Sequence, residues 1–326
     1  MSRFDLPRGL GFGGAPLGNL FAAIAEAEAL AVLDAAWECG LRYYDTAPLY
    51  GLGLSEHRFG AALRARPRGA FVLSSKVGRI LVPDPSAPAE QHGFVGGLPF
   101  RVRFDYSAAG AQRSVEDSCQ RLGMSRIDVA FLHDPDEYTH GADWRARHAE
   151  AMAGAAPALA DLRRAGVIGA WGLGVNQVEP CLLALEHADP DLFLLAGRYT
   201  MLDTAALDTL FPACAARGVG VVIGGPYNSG LLAGGTTFDY AAAPAEMVAR
   251  VRRIGAVCAR FGVSIKAAAL QFCAAHPVVV AVIPGARNAA ELRENVTLFA
   301  SPVPGAFWAA LKAEGLLAAH APTPEG

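Results

Sequence analysis

The chain is short of charge. Only 18% of its 326 residues are Asp, Glu, Lys or Arg, against roughly 25% in an average soluble domain. The signs nearly cancel, with 28 basic residues against 31 acidic ones for a formal net charge of −3. No basic run stands out, so nucleic acid or an anionic membrane would find no electrostatic footprint. The six cysteines are scattered, without a C-x-x-C pair; they suit small buried hydrophobes kept reduced, not a disulfide framework or a zinc site. The opening residues, Met-Ser-Arg-Phe-Asp-Leu-Pro-Arg, lack the apolar core of a signal peptide. The longest apolar stretch, Ala267–Pro284, is interrupted by Gln271, His276 and Pro277, which argues against a membrane span. A soluble, cytoplasmic protein is expected.

What is present is apolar and periodic. Hydrophobic residues make up 52% of the chain, enough for a sizeable core and too many for disorder. Short apolar runs recur at Arg8–Gly13, Leu41–Asp45, Phe71–Lys76, Ile127–His133, Ile168–Leu173, Leu192–Gly197, Val219–Gly224 and Val279–Pro284. They are mostly continuous rather than alternating, as parallel strands buried on both faces require. Amphipathic stretches lie between them, at Glu26–Cys39, Ser55–Arg66, Ser107–Leu122, Ala149–Arg164, Glu179–His187, Thr204–Arg217 and Glu246–Phe261. Gly40, Gly123, Gly166, Gly218 and Gly262 fall just past the ends of five of these, where a helix favours a left-handed residue.

Eight β units with α crossovers and no linker predict an α/β chain folded as one (β/α)8 TIM barrel over residues 1–326. The rival is an open doubly wound sheet, suggested by the G-x-G-x-x-G spacing of Gly9–Gly14. That motif lacks a preceding buried strand, and Ala15-Pro16 follows where a helix should open, so a glycine-rich first barrel strand is the better account. Two segments exceed what a barrel needs: a Pro/Gly/aromatic insertion at residues 79–106 after the third strand, and residues 226–245 after the seventh. Both follow C-terminal strand ends, the face on which barrels build active sites. The tail from Pro302 to Gly326 reads as a terminal helix with a frayed end.

Three apolar runs end in an ionisable residue: Asp45, Lys76 and His133. A buried strand end is a costly place for a charge unless it is paired. Adjacent second, third and fourth strands would bring all three to one rim, with Tyr50 curling over from Asp-Thr-Ala-Pro-Leu-Tyr-Gly. Taken singly, Asp45 suits a cap, Lys76 a snorkelling cation, His133 a satisfied core residue and Tyr50 packing; together they predict a catalytic group. An ammonium beside a phenol lowers its pKa from the usual value near 10. Asp45 would hold Lys76 charged and His133 would orient a substrate oxygen, an arrangement suited to proton transfer beside a hydride transfer.

These residues, in Asp-Thr-Ala-x-x-Tyr-Gly, a strand-end Lys and Leu-His-Asp, together with Ile-Pro-Gly-Ala-Arg-x-x-x-x-Leu-x-Glu-Asn at Ile283–Asn295, resemble the aldo-keto reductase superfamily over nearly the whole chain. The resemblance implies a metal-free (β/α)8 barrel with Asp45, Tyr50, Lys76 and His133 as its catalytic four. It also implies NAD or NADP lying across the rim. Gly13–Asn19, Phe104–Ser107, His133–Asp136, Gly172–Asn176, Gly197–Thr200 and Gly224–Gly230 resemble its sugar-oxidising branch, of the D-threo-aldose 1-dehydrogenase or L-fucose dehydrogenase type, which also includes a pyridoxal 4-dehydrogenase.

By the same resemblance, Asn176 holds the nicotinamide carboxamide, although Val175 stands where a Ser is usual. Ala196 replaces a customary Gln, and Gly224 a stacking aromatic. Pro226, Asn228, Ser229, Gly230 and Leu231 wrap the pyrophosphate with backbone N–H groups. Gly285 and Glu291 stand where strict NADPH enzymes place Lys and Arg. A carboxylate there suits NAD, with Arg287 the argument for NADP. Glu294 and Asn295 face the adenine end. Asn19, Arg198 and Tyr199 are candidate substrate contacts, with walls from Phe12 and the insertion.

The expected activity is NAD-dependent oxidation of a small cyclic aldose at C1 to its lactone, the partner being a sugar or aldehyde and the oligomeric state open. The alternatives are pyridoxal oxidation, NADPH-dependent aldehyde or ketone reduction, and a catalytically silent cofactor-binding regulatory subunit. A metal-free hydrolase or isomerase is disfavoured by the lack of a carboxylate pair at strand ends.

Overall fold

In the computed structural model, which describes residues 3–324, the eight apolar runs become eight parallel staves. They are Gly9–Leu10 with Phe12–Gly13, Tyr43–Asp45, Val72–Val77, Val129–His133, Ala170–Val175, Leu192–Ala196, Gly220–Gly224 and Val279–Ile283. Each pairs with its sequence neighbour, and the two pieces of the first stave stand at opposite ends of the nine-strand order. Gly9–Leu10 pairs with the eighth stave and Phe12–Gly13 with the second, which closes the barrel. The hinge between them is Gly11, where a Cβ would stand 2.8 Å from the Tyr43 ring.

Bulky apolar side chains fill the interior, among them Tyr43, Phe131, Leu192, Val222 and Val280. A second layer packs the outer faces of the staves against the helices. Burying such a side chain stabilises by about 1.5–3 kcal/mol each, so core burial positions the rim. The helix-end glycines Gly40, Gly123, Gly166, Gly218 and Gly262 all have positive φ, between 62° and 83°, as expected of C-terminal caps.

The differences from the expected elements have local causes. The helix expected at 149–164 is two helices, Trp144–Ala153 and Ala155–Arg164. They break at Gly154, where a Cβ would come within 2.8 Å of the Tyr106 carbonyl oxygen. The helix expected from Thr204 starts only at Leu210. The apolar stretch at 267–284 contains most of a further helix, Ile265–Ala274, and then the eighth stave; continuous burial hides that change of period. In the tail the helix is Gly305–Ala313. No single helix among the described residues is long and apolar enough to cross a membrane.

The insertion after the third stave is a hairpin, Arg79–Pro83 against Phe100–Phe104, carrying the smaller ladder Glu90–Gln91 against Phe94–Val95. The loop after the seventh stave contains another hairpin, Thr237–Phe238 against Ala241–Ala242. Among the described residues, every non-glycine with positive φ lies in a loop that follows a stave's C-terminal end: Asn19, Phe21, Leu52, His92, Asp134, Asn228, Ser229, Asp239 and Tyr240. Backbone strain of this kind collects at functional sites, and here it is confined to one face.

Candidate active site

The second and third staves end side by side and bring Asp45 and Lys76 together. Lys76 Nζ donates to Asp45 Oδ2 at 2.7 Å and to the Thr46 carbonyl at 3.0 Å. The other carboxylate oxygen accepts from Ser74 Oγ at 2.7 Å. Both ionic side chains are 2% exposed, a placement tolerable only because each charge is paired. Burial still pushes the Asp45 carboxyl up, against the opposing pull of Lys76 and Ser74.

The loop after the second stave swings Tyr50 over this pair, with Lys76 Nζ 4.6 Å from its ring centroid. Two polar ties hold that loop. Thr46 Oγ1 and Ser55 Oγ are 2.8 Å apart, and Ser55 Oγ donates to the Gly14 carbonyl. Ser75 Oγ donates to the fully buried Glu56 at 2.6 Å, and Arg121 Nε donates to the same carboxylate. The expected acidified phenol is corrected here. Lys76 makes no hydrogen bond to Tyr50, its ammonium being committed to Asp45 and Thr46. Burial, then the carboxylates of Asp45 and Asp134, raises the Tyr50 phenol well above its ordinary value, with Arg79 opposing them.

His133, ending the fourth stave, meets Tyr50 edge-on with ring centroids 6.1 Å apart. Burial, then the cations Arg79 and Lys76, lowers the imidazole well below its usual value, so the ring is neutral. Its Nε2 lies 3.3 Å from Asp134 Oδ2, and its buried Nδ1 has no partner. Asp134 is locked in turn by Arg79 at 2.5 Å and by Asn176 Nδ2 at 3.3 Å.

These residues border a groove with two lobes that share Tyr50, Asn176 and Tyr240. One lobe, about 600 Å³, is lined by Gly13, Gly14, Gly197 and Gly224–Gly230 together with Gly285, Arg287 and Glu291. The other, about 540 Å³, is lined by Lys76, Arg79, His92, Phe94, Phe104, His133, Asp134 and Tyr138. Both volumes are in the range of small-molecule sites. Tyr50 at their junction is placed to touch an occupant of either.

A sequence profile of the Aldo/keto reductase family matches residues 9–314. The chain belongs to the aldo/keto reductase family. It is similar to a pyridoxal 4-dehydrogenase of Microbacterium luteolum, 43% identical over 94% of each chain. It is also similar to a D-threo-aldose 1-dehydrogenase of a Pseudomonas species, 40% identical over 97% of this chain and 95% of the other. Among solved structures, it resembles the holo form of aldo-keto reductase AKR11C1 from Bacillus halodurans. That match has a TM-score of 0.70 and 26% identity, covering 95% of this chain and 92% of that one. This aldo-keto reductase is therefore an oxidoreductase of a family that uses nicotinamide cofactors.

A nicotinamide dinucleotide fits the first lobe. Eight of its lining residues are glycines, which leave room for close backbone approach, and Asn228 presents a buried Oδ1 that lacks a protein partner. Of the expected cofactor residues, Asn176, Pro226, Asn228, Ser229, Gly230, Gly285, Arg287 and Glu291 line it. The Asn176 side chain is engaged at both ends, by Asp134 and by the Tyr240 hydroxyl at 3.2 Å. The amides of Asn228, Gly230 and Leu231 donate to carbonyls of their own loop, so those three do not face the groove as expected. Leu231 is buried core, outside the groove wall. Glu294 pairs with Lys266 on the surface, and Asn295 accepts from the Tyr227 hydroxyl at 2.6 Å. Tyr227 itself lines the lobe.

The three expected substrate contacts lie elsewhere. The Asn19 amide is spent on Val95, Ile24 and Arg58. Tyr199 is fully buried between Phe211 and Phe272. Arg198 grips both oxygens of Asp239, at 3.0 and 2.8 Å, and so holds the strap that carries Tyr240. Phe12, an expected wall, is fully buried core. The expected insertion supplies Arg79, His92, Phe94 and Phe104 to the second lobe, while the walls that sequence reasoning missed are Phe21, Tyr138, Tyr240 and the pairing of Asp134 with Arg79. The Leu-His-Asp motif and the hairpin root pointed at that pair, while Phe21 and Tyr240 carry no sequence signal.

Proposed function

We propose that this aldo-keto reductase uses NAD to oxidise the anomeric hydroxyl of a small cyclic hemiacetal, foremost an aldose at C1, to the lactone. The observation that carries this reading is the meeting of Tyr50, Lys76, Asp45 and His133 where the dinucleotide lobe joins the aromatic-walled lobe. Bound NAD supplies the hydride acceptor. Tyr50 takes the hydroxyl proton, Asp45 and Lys76 hold a fixed dipole beneath it, and neutral His133 positions the substrate oxygen. Asn176 serves the carboxamide after exchanging its present partners.

The preference for NAD rests on Glu291. Its carboxylate accepts from the Arg287 amide at 2.8 Å and from Asn288 Nδ2 at 3.1 Å, while Asn288 Oδ1 accepts from the Glu291 amide. This reciprocal cap places a negative charge at the lobe's far end, hostile to a 2′-phosphate. The Arg287 guanidinium lies 3.8 Å from the same carboxylate, so its charge is partly compensated.

Pyridoxal is the second reading, favoured by the aromatic walls Phe94, Phe104 and Tyr138 and by the Microbacterium relative. Its aldehyde closes onto its own hydroxymethyl group as a hemiacetal, so the chemistry is the same. Initial rates with aldoses and pyridoxal, each with NAD and with NADP, test the proposal. Lactone formation with NAD is expected, and Tyr50→Phe should lower kcat by about 10²–10⁴-fold while dinucleotide binding survives. Robust NADPH-driven aldehyde reduction without lactol oxidation would overturn it.

A further inference from the structure

The aromatic-walled lobe contains two buried cations, and each is already bonded to a carboxylate. Lys76 is held by Asp45 at 2.7 Å and Arg79 by Asp134 at 2.5 Å. His133 and His92 face the same space, and burial lowers both imidazoles. The wall is therefore polar and close to neutral overall. A substrate anion entering it would lose its hydration, find no uncommitted cation and lie beside the Asp134 carboxylate. Two buried polar atoms nonetheless lack partners, Arg79 Nε and His133 Nδ1. Both belong to residues at most 5% exposed that line the lobe. Both atoms are closed off from the lobe's open space, so neither offers an entering anion a partner.

We propose that the Arg79–Asp134 pair makes this lobe selective for an uncharged substrate and an uncharged product. The inference rests on the lactol reading above and adds the charge state of what enters and leaves. In the oxidation the C1–H bond breaks, its electron pair and hydrogen pass as hydride to NAD, and the hydroxyl proton leaves through Tyr50. The carbon becomes the carbonyl of a neutral lactone. Opening that lactone adds water across the acyl C–O bond and yields a carboxylate, which this lobe does not accommodate. The acid formed when the lactone opens away from this site therefore does not inhibit the enzyme.

Competition binding to the enzyme loaded with NADH tests this, with L-galactono-1,4-lactone against L-galactonate and 4-pyridoxolactone against 4-pyridoxate. At least one lactone should bind more than about 30-fold tighter than its acid. Asp134→Asn, which frees the Arg79 charge at constant shape, should bring the ratio to within about threefold. Should that variant not fold, Asp134→Asn combined with Arg79→Gln removes both charges, and there the ratio should fall by less than expected of the single variant, because the repelling carboxylate is gone but no freed cation replaces it. Equal binding of lactone and acid to the native enzyme overturns the proposal. So does a ratio unmoved in whichever variant folds, because size rather than charge would then reject the acid. Failure of both lactones to bind an enzyme that still takes NADH would instead overturn the lactol reading itself.

Discussion

Replacing Lys76 by Met tests the physical premise beneath the site. The native ammonium and the Asp45 carboxylate are each 2% exposed and 2.7 Å apart. Removing one partner of such a pair leaves an uncompensated buried charge and costs about 3–5 kcal/mol. Against a total stability of about 5–15 kcal/mol, that is a large share. With an m-value of about 3 kcal/mol per molar urea, the midpoint should fall by about 1–1.7 M. The Asp45 carboxyl is already raised by burial with Lys76 present, so losing the ammonium raises it further. The sign follows: the folded state binds the proton more tightly than the unfolded state, so the Lys76→Met penalty is greatest at neutral pH and shrinks as pH falls. The double variant Asp45→Asn/Lys76→Met carries no buried charge and should recover to within about 1.5 kcal/mol of the native protein, with turnover still absent. Urea melts of the three proteins at pH 5 and pH 8 measure all of this. A single variant as stable as the native chain, or a double variant no better than the single, would refute the buried-pair argument.

Other consequences are quicker to check. Because burial, Asp45 and Asp134 hold the Tyr50 phenol above its usual value against Arg79, with Lys76 and His133 also facing it, it is protonated at neutral pH. Oxidation, which needs the phenolate, should accelerate from pH 7 to pH 10 while carbonyl reduction stays level or falls; a declining oxidation rate over that range contradicts the assigned base. Glu291→Gln, which removes the lobe's distal negative charge, should shift relative affinity toward NADP by about tenfold, measured by fluorescence titration of both reduced cofactors. Gly172→Ala places a Cβ 1.5 Å from the Leu192 carbonyl oxygen on the neighbouring stave; it should yield no soluble protein or lose more than about 4 kcal/mol.

The eight staves and most of the helices were legible because parallel strands buried on both faces leave continuous apolar runs, and helix ends leave glycines. Asp45, Lys76 and His133 stood out for a related reason: each is an ionisable residue closing a run where a charge needs a partner. What escaped sequence reading depends on distances in space. Asn19 and Arg198 look like exposed polar loop residues, yet Arg58 and Asp239 claim them across 39 and 41 residues of chain. Tyr199 follows Arg198 directly but turns into the core. Tyr240 reaches the groove from a strap in which it and Asp239 both have positive φ, a conformation that composition does not announce in an aspartate and a tyrosine. The direction of the Tyr50 shift was misread because proximity to an ammonium was weighed without the burial of the phenol and without the carboxylates of Asp45 and Asp134 beside it.

The hairpin at Arg79–Phe104 lies outside the closed barrel, tied to its rim loops where Asn19 meets Val95 and Gly51 meets Leu98, and its first residue and its last both face the groove. Machinery for moving a proton thus sits on the closed frame, while much of the discriminating surface hangs from an appendage. Lineages could lengthen, shorten or recolour that appendage and acquire new diets while the proton-handling residues beneath stayed untouched.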